Sequence, residues 1–119
     1  MIEEQAYNIL VQQFTATFAS NSVAVIVIEG ANIHDKPSFL QEFAEKFHFP
    51  PYFGRNWDAF YDCLTDLEWL DVKNMLMIYS HAARFRTAHP EDWQIAMEIL
   101  FDAADYWKQR QILFSMLFL

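Results

Sequence analysis

The sequence predicts an α/β domain, a three-stranded parallel β-sheet packed with α-helices and preceded by a helical extension. Extended and helical signals alternate in the order helix, strand, helix, helix, strand, helix, strand, which is the pattern of parallel strands joined by helical crossovers. The strand candidates are near-continuous apolar runs, the type that is covered on both sides. The chain has 119 residues, of which 54% are hydrophobic. That is enough for one core without a metal or disulfide staple.

In residues 1–20, Ala6, Leu10, Phe14 and Phe18 recur every four positions with Tyr7 and Val11 beside them, an amphipathic helix. Phe14 and Phe18 are therefore expected to be buried against the domain. Residues 1–22 are read as this extension and residues 23–119 as the main domain. "VAVIVIEG" (23–30) is a β-branched run closed by Gly30. Its strand is expected in the middle of the sheet, covered on both faces. Asp35 or Ser38 can cap a helix around Pro37, with Phe39, Leu40, Phe43 and Phe47 as its apolar stripe. "FHFPPY" stops that helix, because two prolines cannot continue it. A further helix follows from Asn56, a strand at "NMLMIYS" (74–80), and a helix from Pro90, where two acids open the first turn. Trp93, Met97, Leu100, Ala104 and Trp107 share one side of it. "QILFSMLFL" (111–119) is the last strand, and "SHAARFRTAHP" (80–90) is left as an unassigned connection.

Charge narrows the partner. Acids outnumber bases 16 to 8, a formal charge of −8. Nucleic acid and anionic membranes need clustered Lys and Arg, so neither fits; a basic protein does. Residues 52–71 hold five acids against one base, a net of −4 and half the total. With 4 Trp, 5 Tyr and 12 Phe in so small a chain, some aromatics are expected at the surface, where they favour partner contact. Cys63 is the only cysteine, and the start "MIEEQAYN" is acidic where a signal peptide is basic, so a reducing, cytoplasmic setting is expected. The apolar run "VAVIVI" is too short to span a bilayer.

Little catalytic chemistry is on offer. With only Gly30 and Gly54, neither a Walker A loop nor a dinucleotide fingerprint can form. His34, His48, His81 and His89 have no ligand spacing, and one cysteine does not complete a zinc site, so no cofactor or metal is expected. Cys63 falls on the apolar side of its helix and reads as a core thiol. Asp58 and Asp62 lie on adjacent turns, but acid–base work needs two settings that split their pKa values, and nothing here supplies them.

"YFGRNWDAFYDCLTDL" (52–67) is the stretch that asks for a function. At 100° per residue, Trp57, Phe60, Leu64 and Leu67 gather on one side. Asp58, Asp62, Thr65 and Asp66 fill the other, with Tyr61 between. Like charges four apart cost a helix about 0.2–0.5 kcal/mol, and no Lys or Arg stands four residues away to relieve them. A solvated face is the bland reading. Acids next to the aromatic turn "PPYFG" suit a cationic protein surface better.

The same stretch resembles the signature of the barstar-like family, intracellular inhibitors of the ribonuclease barnase. Tyr52, Phe53, Gly54, Asn56, Asp58, Ala59, Asp62, Cys63, Leu64 and Thr65 fall into place in it. The order of elements from 23 to 119 is similar too. The resemblance implies that the helix and the turn before it plug a nuclease active site. Asp62 would be the central acid standing in for a substrate phosphate, Asp58 the acid one turn earlier, and Thr65 the hydroxyl at the helix end. Tyr52 and Gly54 would be the aromatic and the glycine of the contact turn, and Phe53 and Asn56 beside them are further partner-binding candidates. Asp66 would extend the acidic face, and Asp102 would stand for a peripheral contact glutamate. Tyr61 stands where the family has tryptophan, and Arg55 where it often has an acid. The expectation is a non-enzymatic immunity protein, monomer or weak dimer, blocking a cognate basic ribonuclease. The alternative is a binding or regulatory module on this fold whose partner is not a nuclease.

Overall fold

A computed structural model of the chain describes residues 8, 9, 12, 23–67 and 74–119. The elements are β1 (Val23–Ile28), a 3₁₀ turn (Gly30–Asn32), α1 (Lys36–Lys46), α2 (Trp57–Leu64), β2 (Asn74–Tyr79), α3 (Ala82–Ala88), α4 (Pro90–Lys108) and β3 (Leu113–Phe118). The strands form one three-stranded parallel sheet, as the alternation of signals predicts. Its order, β1-β2-β3, corrects the expectation that residues 23–29 lie in the middle. The middle strand is β2, where Met75 to Tyr79 are all buried, whereas in β1 only Ile26 and Ile28 are. A β-branched run reports that a segment is extended; its place in the sheet is decided by how the crossovers step.

The register pairs Ile26 with Met77 and Met77 with Met116, so alternate residues of the three strands share a face. One face, with Ile26, Ile28, Met77, Tyr79 and Phe114, packs under all four helices and forms the main core. The other face carries a separate cluster around Leu76 and Ile78.

α1 starts as its sequence predicts. The Asp35 carboxylate accepts from the Ser38 N–H at 2.9 Å, and the Ser38 hydroxyl oxygen accepts from the Asp35 N–H at 3.1 Å. The hydroxyl also bonds the carboxylate, and these contacts hold Asp35 below the usual carboxylate range. The helix ends in a Schellman-type turn: His48 takes φ 56° and the Phe49 N–H donates to the Ala44 carbonyl at 2.9 Å. Phe39, Leu40, Phe43 and Phe47 are all buried.

Two features were not legible. Residues 82–88, left unassigned above, form α3, whose start carries no capping side chain and whose preceding residue, His81, is left-handed at φ 51°. Glu42 is buried, accepting from the Glu29 N–H at 2.9 Å and pairing with Lys46 at 3.1 Å. The expected helix over residues 1–20, with Phe14 and Phe18, lies outside the described residues apart from Asn8, Ile9 and Gln12, which are helical and exposed.

Candidate partner-binding surface

The surface is built from the turn at residues 50–56 and from α2. Pro50 and Pro51 turn the chain away from α1, and the Phe53 N–H closes the turn on the Pro50 carbonyl at 3.0 Å. Tyr52, at the tip, is 83% exposed. Phe53 instead turns inward, half-buried and edge-on to Phe49 at 5.1 Å. Arg55 follows with φ 52°, a left-handed backbone on a side-chain-bearing residue, exposed beside the acidic helix.

Asn56 does two jobs at the helix start. Its side-chain oxygen accepts from the Ala59 N–H at 2.7 Å, and its amide donates to the Gly54 carbonyl at 3.2 Å. Gly54 lies close to this cap: an added Cβ would sit 3.2 Å from that amide nitrogen, which would have to give by a few tenths of an ångström. Asn56 therefore ties the turn to the start of the helix.

The inner side of α2 is wedged into the core. Phe60 is fully buried and sits edge-on to Phe39 and Phe43, at 5.4 and 5.1 Å. Each such pair adds about 0.5–1.5 kcal/mol beyond area burial. Leu64 is fully buried, and its carbonyl accepts from the Trp107 indole at 2.9 Å. Trp57 packs edge-on to Phe60 at 5.9 Å, with the Lys36 ammonium 5.0 Å over its ring. These anchors set which side of α2 faces out.

That outer side carries Asp58, Asp62 and Asp66, all exposed. Among the described residues no Lys, Arg or His pairs with any of them; the ion pairs there are His34–Asp35 and Lys46–Glu42. Asp58, in the first turn, gains from the helix dipole. Asp66, past the last turn, stands at the end where a carboxylate is least favoured. Thr65 caps that end, its hydroxyl donating to the Tyr61 carbonyl at 2.9 Å. Cys63 is half-buried, and burial followed by the charges of Asp62 and Asp66 pushes its thiol up, away from thiolate chemistry.

α2 packs beside α4, and Tyr61 lines a shallow groove between them with Asp102, Asp105, Tyr106 and Gln109. The structure thus brings Asp102 to the flank of the acidic helix. Asp105 and Tyr106 were missed, because only the packing of two helices far apart in sequence makes them neighbours of Tyr61. Among the described residues no His/Cys/Asp/Glu group could hold a metal ion, and no helix is long and apolar enough to cross a membrane.

The parallel α/β domain thus wedges one side of α2 into its core and leaves unpaired carboxylates on the other. Comparison with known proteins identifies its class. The family described as Barstar (barnase inhibitor) matches residues 23–118, and the chain belongs to that family. It is also similar to "Putative ribonuclease inhibitor YrdF" of Bacillus subtilis (strain 168). The two are 28% identical over 85 residues, spanning 70% of this chain and 88% of that protein.

Proposed function

We propose that the protein inhibits a basic ribonuclease by presenting α2 and the turn before it to the enzyme's cationic active site. Its family supports the inhibitor role and a ribonuclease as partner. The single observation that carries the mode of action is the outer side of α2. Asp58, Asp62 and Asp66 are exposed and repel one another, and among the described residues no cation is ion-paired with them. The repulsion among the three costs the free protein stability. A partner whose Arg, Lys and His are spaced to hold RNA phosphates relieves it, because each carboxylate accepts charge-assisted hydrogen bonds as a phosphate oxygen would.

In this reading Asp62 is the central phosphate mimic, and Asp58 and Asp66 flank it along the helix. Tyr52 supplies an aromatic contact from the turn, Gly54 lets the turn approach closely, and Tyr61 and Asp102 receive a peripheral cation. Phe53, Asn56 and Thr65 hold the turn and the helix end in place. The inhibitor needs no cofactor, and it serves as an immunity protein for a cell that makes or meets the nuclease. Arg55, a cation at the rim, selects against enzymes with a basic residue facing that position.

The test is capture of partners on the immobilised protein at low salt, followed by assay of RNA cleavage by the eluate. The expected result is a basic ribonuclease, released by salt and inhibited by the free protein in a one-to-one titration. Capture of a non-nuclease partner that competes for the α2 face would overturn the reading.

A further inference from the structure

All four described helices pack on one face of the sheet, and the opposite face is also apolar. Val25, Val27, Leu76, Ile78 and Leu117 form a cluster there that includes no residue of a described helix. Ile78 is nonetheless 0% exposed and Leu76 8%. Both crossovers, β1 through α1 and α2 to β2, and β2 through α3 and α4 to β3, use the first face. Among the described residues of 23–119, none outside the strands and Leu119 belongs to the second face.

We infer that this second face is the dock of the chain's own residues 1–22, which lie on it as an amphipathic helix. Continuity of the chain, dimensions and the polar side choose that occupant. The segment runs directly into Val23, the first residue of β1, whose Val23, Val25 and Val27 belong to the second face. Ser20, Asn21 and Ser22, between Phe18 and Val23, are residue types that favour turns, so a helix ending near residue 19 would fold back over the strand it precedes.

The sizes also match. Six-residue strands are about 20 Å long, and three of them spaced about 4.8 Å apart make a strip about 10 Å wide. One helix is about 10 Å across, and sixteen residues of it reach about 24 Å. A single helix of this length covers the strip.

The polar side fits as well. Asn8, Ile9 and Gln12 are helical and exposed. At 100° per residue Asn8 and Gln12 point away from the stripe of Ala6, Leu10, Phe14 and Phe18. A helix that shows Asn8 and Gln12 to solvent therefore turns Phe14 and Phe18 the other way, towards an apolar surface. Because α2 packs on the first face, the extension and the acidic surface lie on opposite sides of the sheet. The segment completes the fold and takes no part in gripping the ribonuclease.

The experiment uses the full chain. Nuclear Overhauser contacts are recorded between the ring protons of Phe14 or Phe18 and the methyl groups of Val25, Ile78 and Leu117. A second sample mixes isotope-labelled and unlabelled chains, so that contacts between molecules are seen separately. The expected result is ring–methyl contacts within one molecule, with amides of residues 5–18 exchanging about tenfold or more slower than in an open chain, independent of dilution. Contacts found only between labelled and unlabelled chains would mean that a second copy covers the face and would overturn the inference. So would open-chain exchange in the free protein that slows only when a ribonuclease is added, because the segment would then belong to the inhibitory surface.

Discussion

The indole nitrogen of Trp107 donates to the main-chain carbonyl of Leu64 at 2.9 Å, a buried bond across 43 residues of sequence. It ties the last turn of the acidic helix α2 to α4, next to Thr65 and Asp66. Helix C-termini leave carbonyls without intrahelical partners, and here a side chain from another helix supplies one. The bond therefore serves both the fold and the aim of the acidic surface.

Trp107→Phe keeps most of the ring volume and removes the donor. The Leu64 carbonyl is then buried without this partner, which costs about 1–3 kcal/mol. A lowered urea midpoint with an unchanged slope is the expected result. Faster amide exchange is expected at Leu64 to Asp66. Affinity for the captured ribonuclease should fall as well, since Asp62 and Asp66 lose their fixed position.

Gly30→Ala should be among the most damaging small substitutions. A Cβ built on Gly30 meets the Ser80 carbonyl oxygen at 1.7 Å, far inside contact distance, and the obstacle is backbone. The same place is bonded both ways: the Gly30 N–H donates to the Ser80 hydroxyl at 3.1 Å, and that hydroxyl donates to the Ile28 carbonyl at 3.1 Å. Separating β1 from the end of β2 to admit a methyl group is expected to cost about 3 kcal/mol or more. Thermal unfolding checks it, and a Gly30→Ala chain as stable as the parent would show that the two strand ends part easily.

What was readable in the sequence was what is local. Phe39, Leu40, Phe43 and Phe47 declare α1 by their spacing, and Asp35 declares its start. Asp58, Asp62 and Asp66 share a side because the helical period puts them there, so the acidic surface was legible before any fold was known. The central place of β2 was not, because strand propensity carries no information about neighbours. Nor was Glu42, whose burial depends on the Glu29 N–H and Lys46 meeting it. The groove of Tyr61, Asp105 and Tyr106 needs α2 beside α4, and that contact is made only in three dimensions.

Tyr79 tests the core from another side. It is fully buried on the middle strand among Phe39, Phe43, Trp93 and Phe118, and its hydroxyl has no partner among the described residues. Burial first, and the Glu42 charge second, push the phenol above its ordinary value of 10.0. In the folded chain the proton is held more tightly than in the unfolded one. Stability is therefore full below about pH 10 and falls as the pH rises above it, while the unfolded chain ionises and the folded one does not. Tyr79→Phe should leave stability at pH 7 unchanged or slightly higher, since a buried hydroxyl without a partner is removed. It should also flatten the alkaline fall. Both are read from urea midpoints between pH 7 and pH 11, and a variant much weaker than the parent at pH 7 would show that the hydroxyl is bonded after all.

Asp62 carries the sharpest prediction for function. It is exposed in the middle of α2, one turn from Asp58 and one turn from Asp66. In the complex its carboxylate is expected to face enzyme cations that bury with it. Asp62→Ala leaves those cations buried and unpaired, so binding to the captured ribonuclease should weaken by about 2–5 kcal/mol, mostly as faster dissociation. The free protein should be as stable as before or gain about 0.2–0.5 kcal/mol, because repulsion along the helix is relieved. Asp66→Ala, at the edge of the acidic side, should cost much less and act on the association rate, with an effect that fades as salt is added. Opposite signs for binding and for stability at one residue separate a contact site from a merely solvated side. If Asp62→Ala and Asp66→Ala both bind as the parent does, the carboxylates of α2 face water in the complex and the inhibitory surface lies elsewhere.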